Sequence, residues 1–278
     1  MTRHPLLLVA RQELVLAVRS RWTQIFAVVF AALALAVAAS GYVLSGGHGV
    51  QDFARTAASL VQLVLLLVPL TSLLIGVLSL APERGAAELL FSQPISRRAI
   101  LLGKLLGLFE ALVGAQALGF GAAGIVIFAQ SGNEGVAGFV MLFAAATVLT
   151  GIFLGLAALL AATAIGRRRT RALALALVVW FVAVVLFDVV ALGLASLLPS
   201  GPASRVLIVG VLLNPVDAVR TAVLLGIEGA AAFGAASLAF LRFTKGPWGA
   251  AAMLGVSVLF WIAAPTLAAI RRLRRTDV

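Results

Sequence analysis

The sequence contains no cysteine, only two histidines (His4 and His48) and only three methionines (Met1, Met141 and Met253). The missing thiols exclude a disulfide framework, a Cys-based zinc site and a thiolate copper site. The methionines are scattered, and His48 stands alone in a Gly-rich stretch. No cluster of soft-metal ligands can be drawn from that inventory, so no metal site is assigned. Charge is scarce too. Only 11% of the 278 residues are charged, against about 25% in a soluble domain. A phosphate-binding loop is also missing: Leu105 follows Gly103–Lys104, and Arg98 stands where the first glycine of that motif belongs. The chain has no such cradle for ATP, and no cofactor is assigned to it. The run Gly-Phe-Gly-Ala-Ala-Gly at 119–124 has dinucleotide-loop spacing but lies inside an apolar segment with no strand before it. Small residues that let membrane helices approach are its reading.

What is present is apolar surface. Hydrophobic residues make up 63% of the chain, and the mean hydropathy is +1.15, which places it in the lipid-solvated class. The net charge of +11 does not indicate nucleic-acid binding, because no basic patch carries interleaved aromatics. Basic residues that hold cytoplasmic loops against anionic lipid explain it better.

Six nearly uncharged runs, at 23–44, 56–80, 105–129, 136–165, 172–198 and 247–270, each approach the ~20 residues that span a bilayer. The expected fold is a single all-α integral membrane domain over 1–278. Residues 1–22 place Leu7, Ala10, Leu14 and Val18 at helical spacing among Arg3, Arg11, Arg19 and Arg21, which reads as an amphipathic elbow helix on the cytoplasmic face. AVAAS at 36–40 resembles a signal cleavage site, but the preceding segment is long and contains Glu13. With the N-terminus inside, sixteen of the 21 basic residues fall in cytoplasmic segments. The positive-inside rule therefore selects six spans with both termini cytoplasmic. Residues 199–246 contain two short apolar pieces, 206–213 and 229–241. They are read as re-entrant or interfacial helices on the outer side; the alternative in which both span gives eight spans.

The longest polar interruption in the first half is APERGAAELLFSQPISRRAILLGK, residues 81–104. Glu83 and Glu88 suit the start of a short helix. Pro94 breaks the segment, and Ser96 can cap a helix beginning near Arg97. A solvated loop would account for the charge alone. The pattern is nonetheless similar to the signature of ABC-2 type permeases: an acidic, Gly-containing segment, a Leu-rich stretch, Pro, a basic pair, then Gly-Lys. Glu83, Arg84, Gly85, Glu88, Pro94, Arg97 and Arg98, with Gly103 and Lys104, stand at its positions. Ala86 and Ala87 replace hydroxyl or bulkier residues, a mild departure. The resemblance implies a homodimeric permease whose 81–104 hairpin forms a short coupling helix that inserts into a separate ATPase subunit, which binds ATP and Mg.

Residues 178–198 and 212–220 narrow the resemblance to the permeases of the nitrous oxide reductase maturation system. That group implies two partners, the ATPase subunit and a periplasmic copper-handling protein, in the bacterial inner membrane.

On the residues themselves, Asp188 lies ~25 Å past Arg171 along a helix, towards the outer leaflet. Ionisable groups there usually face a cavity, a partner or a cation. Pairing with Arg220 or Arg205 is one expectation, and a carboxylate reaching the outer interface is the other. Asn214-Pro215-Val216-Asp217 reads as a helix start, with Asn as cap and Pro in first position. Val216, Val219, Val223 and Ile227 form a stripe opposite Asp217 and Arg220. A capped interfacial helix is the plain reading; the sharper one makes Asn214, Pro215, Asp217 and Arg220 part of a platform for the periplasmic partner. Glu110 reads as an interfacial carboxylate. An exporter of a lipid, drug, polysaccharide or sulfur species competes with this scheme. An intramembrane enzyme does not, since both histidines lie outside the spans and Asp188 and Glu110 sit at separate depths. The chain is read as non-catalytic.

Overall fold

A computed structural model describes residues 5–45, 49–81, 95–131, 135–163, 169–229 and 235–275. Ten helices and no strand occur among them. They are α1 (Pro5–Arg19), α2 (Arg21–Ser45), α3 (Gly49–Leu80), α4 (Arg97–Ser131), α5 (Val136–Thr163), α6 (Arg169–Ser196), α7 (Ser200–Leu213), α8 (Pro215–Glu228), α9 (Ala235–Phe243) and α10 (Pro247–Arg275). Six of these, α2 to α6 and α10, are long and apolar enough to cross a membrane. The expected all-helical fold with six spans is thus observed. The third span starts earlier than residue 105. Ser96 accepts a 3.3 Å hydrogen bond from Ala99 N, so the cap opens the helix at Arg97 and carries two arginines and Lys104 on its first turns.

α5 is apolar on every side, and Leu142, Leu149, Ile152, Phe153 and Leu154 are all fully buried. A helix without a polar face belongs in the centre, and α5 packs on α3, α4, α8 and α10. Glycines set the close approaches. A Cβ on Gly155 would lie 2.8 Å from Thr266 Oγ1 of α10, so Gly155 serves packing within the chain. A Cβ on Gly119 would lie 2.6 Å from the ring of Phe30, as expected for the small residues of 119–124.

α1 departs from the expected stripe. Its buried residues are Ala10, Glu13 and Ala17, whereas Leu7 and Val18 are exposed. The cause is α4. A Cβ on Gly103 would lie 2.8 Å from Leu6 O, and one on Gly107 would run into Ala10 O and lie 2.8 Å from Leu14 N. The backbones touch, so α1 presents its small residues rather than its large apolar ones.

α6 is the least embedded span, with 11% of its central window buried inside the chain. Midway it contains a π turn, Val182–Leu186, a local widening that sequence periodicity does not announce. α7 and α8 follow α6 and form a pair bent by 103° at Asn214. Neither arm alone is as long as a span; where two short helices were expected at 206–213 and 229–241, the chain forms this bent pair and α9. α9 covers Ala235–Phe243, within and slightly beyond the second short apolar piece.

Candidate functional site

Two polar clusters lie at opposite ends of the bundle. The first joins the roots of the 82–94 segment. Glu83, Arg84, Gly85, Glu88 and Pro94 lie outside the described residues, as does the expected coupling helix. Its roots, the end of α3 and the start of α4, are described.

Lys104 Nζ sits 3.1 Å from Glu13 Oε2 and donates to Ser79 O at 3.2 Å. Ser79 Oγ donates to Glu13 Oε1. Arg169 Nη2, at the start of α6, donates to Leu78 O. Arg97 Nη1 donates to Leu273 O at 3.0 Å, near the end of α10. Arg98 is exposed.

The physical logic is common to all three cations. The last carbonyls of a helix lack intrahelical partners and carry the negative end of its dipole. Here α3 is capped by Lys104 and Arg169, and α10 by Arg97. Basic residues that the charge count assigns to one side of the membrane thus also tie that end of one span to the next. Glu13 compensates Lys104 where both are largely buried, which avoids an unpaired charge. Sequence reasoning passed over Glu13 as a site residue. Its signal was spacing: positions 10, 13 and 17 share a helix face with two alanines.

The second cluster surrounds the bend. Arg220 Nη1 lies 2.8 Å from Asp188 Oδ2 and 3.0 Å from Asp217 Oδ1. Of the two expected partners, Arg220 is the one paired with Asp188; Arg205 is exposed on α7. Asn214 caps α8 by accepting from Val216 N at 3.1 Å. Its Nδ2 donates to Asp217 Oδ2 at 3.0 Å and to Ala183 O at 2.8 Å, inside the π turn. One side chain therefore caps α8, orients Asp217 and serves a carbonyl where the helical ladder of α6 is shifted.

The end of α7 is served from α10. Ser257 Oγ donates to Leu212 O at 2.7 Å, and Trp261 Nε1 donates to Leu213 O at 3.2 Å. Non-helical backbone is tolerated at membrane depth when protein satisfies it, and here Asn214, Ser257 and Trp261 do so. Asn214→Ala removes the cap and strips Ala183 O of its donor. The expected loss is about 1–2 kcal/mol, read as a lower midpoint of thermal unfolding in detergent.

α8 is not a surface helix with one wet face. Val216, Val219 and Val223 are buried as the stripe requires, but Pro215 and Asp217 are buried too, because the polar face turns towards α6. Beside the cluster a cavity of about 250 Å³ is lined by Phe187, Asp188, Arg220 and Phe240 among others. Arg220 Nε is buried without a hydrogen-bond partner among the described residues. Glu110 is exposed on α4. No three His, Cys, Asp or Glu side chains converge among the described residues.

The sequence matches the family described as ABC-2 family transporter protein over residues 7–278. Two relatives carry the name "Probable ABC transporter permease protein NosY". The one from Stutzerimonas stutzeri is 34% identical over 276 residues, covering 96% of this chain and 97% of the relative. The one from Pseudomonas aeruginosa is 35% identical over 237 residues, covering 83% and 86%.

Proposed function

Because this chain belongs to the ABC-2 family of transporter permeases, we propose that it is a NosY-type subunit that passes the work of a separate ATPase across the bacterial inner membrane. The receiver is a periplasmic copper-handling protein, and the product is assembly of the copper centres of nitrous oxide reductase during denitrification. Both termini are cytoplasmic, and two copies form a homodimer. α6 leaves the most surface free for a second copy. The chain itself is non-catalytic, and ATP with Mg is held by the ATPase.

The observation that carries the mechanical reading is the double attachment of α6. At one end Arg169 holds Leu78 O of α3, beside the root of the coupling segment. At the other, Asp188 holds Arg220 of α8 at 2.8 Å. The two attachments are ~28 Å apart along the helix, close to the ~30 Å hydrocarbon thickness. A span tied at both ends, and to α3 midway by Trp180 Nε1 donating to Leu66 O at 3.0 Å, transmits displacement as a rigid body. Asn214, Pro215, Asp217 and Arg220 then act as the joint beneath the partner platform, with α7 and α8 carrying its surface. Conduction of copper is disfavoured by the inventory of no Cys, two His and three scattered Met.

Glu88→Arg, or deletion around Pro94, is expected to release or uncouple the ATPase while all six spans insert. Affinity purification measures the first part, and maturation of the copper enzyme the second. Unchanged association together with full maturation overturns the coupling role. ATP-dependent copper flux in vesicles holding only the permease and its ATPase overturns the mechanical reading. Export stimulated by a lipid, drug, polysaccharide or sulfur species would favour the exporter alternative.

A further inference from the structure

A second cavity, of about 560 Å³, lies between α5, α8 and α10, with α9 at its rim. Its wall includes Met141, Val148, Val223, Pro247, Gly255 and Val258, and no charged side chain lines it. Along α10 it runs from Pro247 to Val258, eleven residues or ~16 Å. That is about half of a ~30 Å hydrocarbon core, so the cavity is one leaflet deep. It occupies the leaflet opposite the arginine-rich end of α10.

The rim is of opposite character. Leu241 and Pro247 line the cavity, and between them Arg242 and Lys245 are exposed. Neither cation makes an ion pair or hydrogen bond among the described residues. Trp248 follows at 89% exposure, a ring suited to the headgroup level. Lys245 holds φ 60°, a left-handed backbone that glycine adopts at less cost. Lysine thus stands at a position where local backbone energy favours glycine.

We propose that this cavity is a binding site for one anionic glycerophospholipid. An acyl chain fills the apolar trough, and the headgroup phosphate is held by Arg242 and Lys245. An empty apolar space this large in a close-packed membrane protein forfeits dispersion contacts that a chain restores. The depth fits a chain entering from one leaflet, and two exposed cations on the stretch between the lining residues Leu241 and Pro247 select negative charge.

The test uses the full-length permease in nanodiscs with phosphatidylglycerol or phosphatidylcholine bearing a photoactivatable acyl chain. Labelling is expected on the α10 peptide containing Ala251 and Gly255, with phosphatidylglycerol preferred. Arg242→Gln and Lys245→Gln should each cut that preference by about fivefold. Gly255→Phe should abolish labelling while the protein stays monodisperse, since a Cβ at Gly255 meets nothing within 4 Å. Gly255→Ala should retain it. Equal labelling by both lipids, labelling that survives Gly255→Phe, or a photoprobe at position 251 that captures a second copy or another protein instead of lipid would overturn the proposal.

Discussion

Arg220→Met is expected to destabilise the protein by about 2–3 kcal/mol, near the lower end of what removing one partner of a buried ion pair costs. The guanidinium lies between two carboxylates, 2.8 Å from Asp188 and 3.0 Å from Asp217. Without it two carboxyl groups face each other beside the bend with no cation between them, and Asn214 has a single amide to offer. The Asp188 side chain retains 33% exposure, which keeps the loss from being larger. A neutral triple variant, Arg220→Met with Asp188→Asn and Asp217→Asn, should return to within about 1 kcal/mol of the parent, because the charges are removed together. Thermal unfolding of the purified protein measures both. The triple variant also separates stability from transmission. It should fold and bind the ATPase, yet fail to support maturation of the copper enzyme, because the ionic α6–α8 attachment is gone and only the Asn214–Ala183 hydrogen bond is left. A stable single variant, or a triple variant with full activity, contradicts the joint described above.

Gly107→Val should have an effect of similar or greater size at the opposite end. A Cβ there runs into the Ala10 carbonyl and lies 2.9 Å from Glu13 Cβ. Backbone cannot rotate aside as a flexible side chain can, so the cost exceeds the usual ~1–3 kcal/mol of overpacking unless α1 lifts away. Lifting α1 carries Glu13 with it and leaves Lys104 without its carboxylate. The expected result is a lower unfolding midpoint and loss of ATPase in pull-downs, since both roots of the coupling segment lose Glu13, the carboxylate that Lys104 and Ser79 share. Gly114→Val on the same helix is the control. Nothing lies within 4 Å of a Cβ at that position, so it should be close to neutral. Equal behaviour of the two variants would refute the close approach of α1 to α4.

These two sites differ in how far the primary structure announces them. Apolar runs of span length, a basic excess at four segments and the Asn214-Pro215 start are one-dimensional signals. Burial of a full apolar helix and capping of a helix start are local requirements, met by residues adjacent in the chain. They determined the six spans, the break before α8 and the close-packed character of the glycine-rich stretches. Only the tertiary structure decided which charges meet. Asp188 and Arg220 are 32 residues apart, and Glu13 and Lys104 are 91 apart; no periodicity links such positions. The sequence alone left Arg205 and Arg220 equally eligible for Asp188. The bend at Asn214 and the π turn of α6 decide between them by turning one arginine inward and leaving the other exposed. The face of α1 was misread for a related reason. Amphipathic spacing reports what a helix shows to water and lipid, whereas contact with two glycines of α4 selects the smallest residues and one compensated carboxylate.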